Sequence, residues 1–162
     1  MCIRDRGKST LLNTLTKSNV LAESRLFATL DPSSRRLKFP RDTEVIITDT
    51  VGFIKDLPED LLLAFRATLE ELESADLLLH IIDISNPLYP AQIDSVERII
   101  ADLNLEHTAS IRVLNKIDRL SADKVQKLNR QLGGMVISAK QKSTLLPLID
   151  RMEALLSDIR PN

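Results

Sequence analysis

Asn115-Lys116-Ile117-Asp118 follows without a break on the apolar run Ile111-Arg112-Val113-Leu114, and this junction constrains the fold more than any other feature of the chain. A short β-branched run ending in a polar tetrapeptide reads as a buried strand delivering a loop at its carboxyl end. The aspartate of such a loop can accept two hydrogen bonds, from the N1–H and the exocyclic amine of guanine. Adenine lacks that pair of donors, so the site would reject it by leaving acceptors unpaired. Asn115 can bond the purine edge, and the stem of Lys116 can lie across the ring face. Polar tetrapeptides after strands are common turns, so the reading rests on what accompanies this one.

The first companion is Gly7-Lys8-Ser9-Thr10, followed by Leu11-Leu12-Asn13-Thr14-Leu15. It matches the second half of the phosphate-binding loop G-x-x-x-x-G-K-[ST] at the start of a helix. There the glycine allows close backbone approach, the lysine reaches the β- and γ-phosphates, and the serine hydroxyl ligates Mg²⁺. The helix dipole adds its favourable end. The first glycine of the pattern belongs where Cys2 stands, and only six residues precede Gly7, too few for the usual strand. Residues 1–6 are accordingly expected to be an aberrant or non-native start, and residues 7–160 one domain.

The second companion is the β-branched stretch Glu44-Val45-Ile46-Ile47-Thr48 running into Asp49-Thr50-Val51-Gly52. An aspartate at that strand end suits the water shell of Mg²⁺. Gly52 can turn its amide to a γ-phosphate and release the following segment when that phosphate leaves. Between this strand and the first helix lies Leu26-Phe27-Ala28-Thr29-Leu30-Asp31-Pro32, where Thr29 can offer the metal a second hydroxyl. Last, Met135-Val136-Ile137 leads into Ser138-Ala139-Lys140, whose backbone can bond guanine O6. Five elements in this order and near this spacing are a joint signal that none of them gives alone.

The set is similar to that of the translation-factor-related GTPases. The segments 26–32, 49–54 (Asp49-Thr50-Val51-Gly52-Phe53-Ile54), Leu57-Pro58, 64–69 and Leu77-Leu78-Leu79-His80-Ile81-Ile82-Asp83 closely resemble HflX, a ribosome-associated GTPase family. The resemblance runs from about Gly7 to the C-terminus and covers the GTPase domain only, since full-length members carry a further N-terminal domain. It implies a P-loop NTPase fold of the Ras-like G-domain type: α/β, doubly wound, with a mostly parallel sheet, here expected without its first central strand. It implies GTP hydrolysed to GDP and phosphate with Mg²⁺, and the large ribosomal subunit as partner. The implied GTP contacts are Gly7, Lys8, Ser9, Thr10, Phe27, Ala28, Thr29, Leu30, Asp31, Asp49, Thr50, Val51, Gly52, Asn115, Lys116, Ile117, Asp118, Ser138, Ala139 and Lys140. Ser9, Thr29 and Asp49 are the implied metal ligands, with Thr29 and Gly52 the switch positions beside the chemistry. Members have an asparagine two residues before the second P-loop glycine; here Asp5 stands there.

Alternating strand and helix patterns fit that architecture. Helices are expected over 8–18, 58–74, 91–103, 122–132 and 145–159. Strands are expected over 36–40, 44–49, 77–84, 111–114 and 135–138, the first two as a hairpin. A length of 162 residues suits one domain, and 43% hydrophobic residues with net charge −1 give no general basic bias toward nucleic acid. The single cysteine, Cys2, excludes an internal disulfide. No apolar run approaches a spanning segment and the start has no signal-peptide pattern, so a cytoplasmic monomer without membrane contact is expected. His80 reads as a core histidine, His107 as solvated, and Glu70-Glu71-Leu72-Glu73 as a wet helix face. Arg35-Arg36 with Lys38 reads as a solvated strand edge, with ribosomal RNA contact as the alternative.

In Ras-like enzymes a glutamine after the third-motif glycine orients the attacking water. Phe53 stands at that place and can neither donate nor accept a hydrogen bond. Intrinsic turnover should be slow, with help supplied in trans by a ribosomal element or a monovalent cation. Three classes stay open: a GTPase switch on the ribosome, a guanine-nucleotide-binding module impaired in hydrolysis by its incomplete P-loop, and an ATP-dependent P-loop enzyme. The last gives Asn115-Lys116-Ile117-Asp118 and Ser138-Ala139-Lys140 nothing to do.

Overall fold

The computed structural model describes residues 7–17, 34–40, 44–48 and 72–159. Within them the elements run α1 (Lys8–Lys17), β1 (Ser34–Lys38), β2 (Glu44–Thr48), β3 (Leu77–Asp83), α2 (Tyr89–Asp102), β4 (Ala109–Asn115), α3 (Ala122–Leu132), β5 (Met135–Val136) and α4 (Leu146–Ile159). Single 3₁₀ turns occupy Ile117–Arg119 and Lys142–Thr144.

The centre is a parallel sheet in the order β3-β4-β5. Its strands are apolar almost throughout because helices cover both faces, and alternate side chains divide between the two covers. Ile81, Val113 and Ile137 point to one side, where they meet Leu11 and Leu15 of α1 and Leu148, Ile149, Met152 and Leu156 of α4. Ile82, Leu114 and Val136 point to the other, against Ile93 of α2 and Leu128 of α3. Helices on both faces of a parallel sheet make the doubly wound α/β arrangement expected of a G domain.

β1 and β2 form an antiparallel pair with register Leu37↔Val45 and Lys38↔Glu44. Among the described residues this pair is a separate two-stranded sheet, with no ladder to β3. It still shares a core with the parallel sheet, since Leu37, Phe39, Val45 and Ile47 belong to the same apolar cluster as Ile81 and Leu148. Arg35 also ties the hairpin to α1 by donating to Asn13 Oδ1 at 2.8 Å, and Arg36 faces Glu44 at 3.7 Å. The basic stretch is therefore partly spent on internal contacts and is not simply a wet edge.

Several boundaries differ from expectation for identifiable reasons. β4 runs over Ala109–Asn115 and not 111–114, because pairing with β3 carries the ladder through polar Ser110 and Asn115. β5 is confined to Met135–Val136 instead of 135–138: only these two residues pair with Val113 and Leu114, after which the chain turns to other partners. The first hairpin strand is shifted to Ser34–Lys38 from 36–40, and Phe39 packs into the core beyond it. α2 begins earlier than expected, at Tyr89, with Pro90 in its first turn, where a missing N–H costs nothing. Of the helix expected over 58–74 only Leu72 and Glu73 lie within the described helical residues. His80 is buried and His107 exposed, as expected. Among the described residues no helix is long and apolar enough to cross a membrane.

α4 supplies much of the cover on one face, with Leu148 at 0% exposure while Leu146 stands 52% exposed. Leu148→Ala should therefore destabilise the protein by about 2–5 kcal/mol, and Leu146→Ala by no more than about 0.5 kcal/mol. Urea unfolding of the two variants checks the contrast.

Candidate functional site

The register of the parallel sheet places the site. Asp83 at the end of β3 stands opposite Asn115 at the end of β4, and the Ile84 N–H donates to the Asn115 carbonyl at 3.3 Å. Both strands thus finish at one level, and the loops after them open on the same side, as ligand-binding loops do in open α/β sheets. Gly7 enters that level from α1. Its φ of +89° is a backbone state that suits glycine. A Cβ there would overlap the Asn115 side-chain amide and come within 4.0 Å of the Lys116 stem. A glycine is thus needed here to let the start of α1 close against the Asn115–Asp118 loop.

Asn115 is buried, and its Oδ1 accepts the Ala139 N–H at 2.9 Å. Lys116 adopts φ +68°, the left-handed region that costs a side-chain-bearing residue about 1–2 kcal/mol. Its ammonium reaches back to Asp83 Oδ2 at 2.6 Å, with the two side chains only 17% and 9% exposed. Asp118 stands exposed at the rim, and its Oδ1 accepts the Ser138 hydroxyl proton at 2.7 Å. One oxygen of that carboxylate is anchored and the group keeps further acceptor capacity.

The loop 138–140 is fixed from behind. After β5 the Ile137 N–H bonds the Leu114 carbonyl at 2.9 Å, and the Ile117 N–H returns to the Ile137 carbonyl at 3.3 Å. Thr144 Oγ1 accepts the Ser138 N–H at 3.0 Å while donating to the Gln141 carbonyl at 2.7 Å. From α1, the Thr14 hydroxyl shares its proton between the carbonyls of Ala139 at 2.7 Å and Thr10 at 2.8 Å. The P-loop helix, the loop after β4 and the loop after β5 are therefore bound into one unit.

The electrostatics follow from these contacts. Burial would raise the Asp83 carboxyl, but hydrogen bonds from Lys116 and Ser85, with the Lys116 charge, outweigh it and hold the group below its ordinary value. Ser85 contributes both its N–H at 3.0 Å and its hydroxyl at 2.5 Å. Asp118 is also held below its ordinary value, chiefly by the Ser138 hydrogen bond. Both carboxylates stay ionised at neutral pH, as acceptors for N–H donors must.

Of the residues expected to form the site, Gly7, Lys8, Ser9, Thr10, Asn115, Lys116, Ile117, Asp118, Ser138, Ala139 and Lys140 fall on α1's start and on these two loops. Phe27, Ala28, Thr29, Leu30, Asp31, Asp49, Thr50, Val51 and Gly52 lie outside the described residues. Asp83, Thr14 and Thr144 were not among the expected site residues. Only Asp83 carried a sequence signal, as an acid closing a long apolar strand.

Comparison with known proteins gives one family model, described as 50S ribosome-binding GTPase, that matches residues 4–116. The GTPase HflX of Magnetococcus marinus is 43% identical over 147 residues, covering 90% of this chain and 34% of that protein. HflX of Caldanaerobacter subterraneus subsp. tengcongensis is 49% identical over 147 residues, 91% of this chain and 33% of that protein. HflX of Escherichia coli K12 is 41% identical over 131 residues, 76% and 31% respectively. The chain thus spans about a third of the length of these relatives. Among solved structures, an SsGBP–GDP complex aligns at TM-score 0.72 and 26% identity over 96% of this chain and 48% of that one. A single-residue variant of Aquifex aeolicus Era bound to GDP·AlF4⁻ aligns at 0.62 and 24% identity, over 97% and 54%, a likeness of fold alone.

Ser138→Ala removes the largest influence lowering Asp118, so the Asp118 carboxyl should titrate higher in the variant than in the parent, toward an ordinary carboxylate. A carbon-detected NMR titration of aspartate carboxyls reads the change directly. An unmoved titration would mean that the hydroxyl does not set the charge on Asp118.

Proposed function

The chain belongs to the 50S ribosome-binding GTPases, as a GTPase domain of the HflX family, and on that footing we propose that it binds guanine nucleotides and hydrolyses GTP to GDP and phosphate. The observation that carries the reading is the convergence of Gly7, Asn115, Asp118, Ser138 and Ala139, hydrogen-bonded or packed together across three separate segments. A bare turn after β4 would not require a glycine in α1's lead-in or a hydroxyl aimed at its last residue.

In this reading Asp118 accepts the guanine N1–H and exocyclic amine, and Ala139 and Lys140 present backbone N–H groups toward O6. Lys116 covers one face of the base. Lys8 and the amides of the first turn of α1 hold the β- and γ-phosphates at the positive end of the helix. The hydroxyl of Ser9 in that exposed first turn is a hard oxygen donor of the type Mg²⁺ takes. With Thr29 and, through water, Asp49 it would complete the metal's protein contacts. Bound there, the metal would neutralise charge building on the phosphate oxygens. Thr29 and Gly52 act as switch positions that sense the γ-phosphate. Phe53 cannot orient water, so rapid turnover depends on a group supplied by the large ribosomal subunit or on a monovalent cation. We place the protein in the cytoplasm, as a monomer away from membranes.

A guanine-nucleotide-binding module impaired in hydrolysis is the second reading, favoured by Cys2 at the P-loop's first glycine position and Phe53 at the water-orienting one. Single-turnover hydrolysis with and without ribosomes separates the two: stimulation supports the switch, and binding without turnover under either condition supports the module. Competition among GTP, GDP and ATP tests the base assignment.

Asp118→Asn should move preference from guanosine toward xanthosine nucleotides, because the amide reverses one donor–acceptor relation. Displacement titrations with GDP and XDP measure it, and undiminished GDP affinity in the variant would sink the role of Asp118. Thr29→Ala should weaken GTP binding or hydrolysis in Mg²⁺ while leaving GDP affinity nearly intact, since a switch threonine engages only the triphosphate state. Unchanged ribosome-stimulated turnover in this variant would contradict the switch role.

A further inference from the structure

The ion pair between Asp83 and Lys116 joins a residue of the Asn115–Asp118 motif to one that lies outside every motif of the nucleotide site. Lys116 leaves β4 with φ +68° and sends its side chain past Gly7 to Asp83 at the end of the neighbouring strand. The contact is short, 2.6 Å, and both side chains are largely withdrawn from water. A lysine stem of four methylenes has many rotamers, and covering an aromatic ring requires holding one of them. Asp83 provides the anchor. It is itself fixed, because its Oδ1 accepts both the Ser85 N–H and the Ser85 hydroxyl, leaving Oδ2 for the ammonium. The parallel register explains the reach: Asp83 stands opposite Asn115, one residue before Lys116.

We propose that Asp83 is a positioning residue for guanine-nucleotide binding, one that clamps the Lys116 stem in the rotamer forming the floor of the base pocket. The inference rests on the guanine-nucleotide reading of the site and adds a residue to it. Because the clamp acts on the base side, it serves GDP and GTP alike. A purely structural ion pair would instead alter folding stability and leave the affinity of the folded protein unchanged.

The test is a double-mutant cycle on the full chain, read by fluorescence of N-methylanthraniloyl-GDP and the corresponding GTP analogue. Asp83→Asn keeps an acceptor for Ser85 and removes the charge, while Lys116→Met keeps most of the stem and removes the ammonium. Each single variant should bind both nucleotides about tenfold more weakly, the two losses agreeing within about twofold, with most of the change in dissociation rate. The double variant should be no weaker than Lys116→Met, since two residues acting through one contact are non-additive. Parent-like affinity in Asp83→Asn, a loss confined to the triphosphate, or additive losses near a hundredfold would each overturn the proposal. Should Asp83→Asn fail to fold by circular dichroism, Lys116→Met against the charge-free double variant decides: equal affinities support the clamp, and a further loss overturns it. A parent chain that binds neither nucleotide would overturn the guanine-nucleotide reading and the clamp with it. A binding parent matched by Asp83→Asn would overturn the clamp alone.

Discussion

The parallel pairing of β3 with β4 is the constraint on which the rest of the structure depends. Seven residue pairs, from Leu77↔Ala109 to Asp83↔Asn115, fix both where the helices can pack and where the loops emerge. Because side chains alternate, this register sends Ile81 and Val113 to one cover and Ile82 and Leu114 to the other. A slip of one residue would exchange the two apolar sets and move every polar group at the strand ends. Core packing and site geometry are therefore specified together: the same ladder that buries Val113 and Leu114 also delivers Asn115 and Lys116 beside Asp83.

The polar groups beyond that ladder could not remain buried without partners. Asn115 and Ser138 sit among the most deeply enclosed residues of the chain, and an unsatisfied buried amide or hydroxyl costs about 1–3 kcal/mol. Each meets that demand by binding the other loop: Asn115 takes the Ala139 N–H, and the Ser138 hydroxyl donates to Asp118. The result is a polar surface at the carboxyl end of the sheet whose donors and acceptors are set by the protein's own hydrogen bonds. Preorganisation of this kind lowers the ordering cost of any binding at such a surface.

Local signals were readable where burial acts on both faces of a segment. The runs 77–84 and 111–114 announced the central strands, and Gly7-Lys8-Ser9-Thr10 announced the start of α1. Their ends were less legible because ladder hydrogen bonds do not depend on side-chain polarity, so β4 continues through Ser110 and Asn115. β5 was overread for the opposite reason. Ile137 still donates its N–H to Leu114 of β4, but the Ser138 N–H turns to Thr144 Oγ1 and the ladder stops. Within the site, the motif residues could be named from spacing, since each motif is contiguous. Contacts between motifs could not. Thr14 meets Ala139 across 125 positions, and Asp83 meets Lys116 only because a register that no short window encodes brings two strand ends level.

The parallel sheet and the β1–β2 pair differ in how they are held. β3, β4 and β5 form one hydrogen-bonded sheet covered on both faces, with the loops after β4 and β5 cross-linked to each other and to α1. The β1–β2 pair is joined to that body through apolar packing and the Arg35–Asn13 hydrogen bond, with no ladder to β3 among the described residues. Packing tolerates small displacements that a ladder does not, because dispersion is non-directional whereas hydrogen bonds fall off steeply with angle. Helix α1, bonded by Thr14 to the Ala139 carbonyl in the loop after β5 and by Asn13 to Arg35 of the hairpin, is in contact with both sheets.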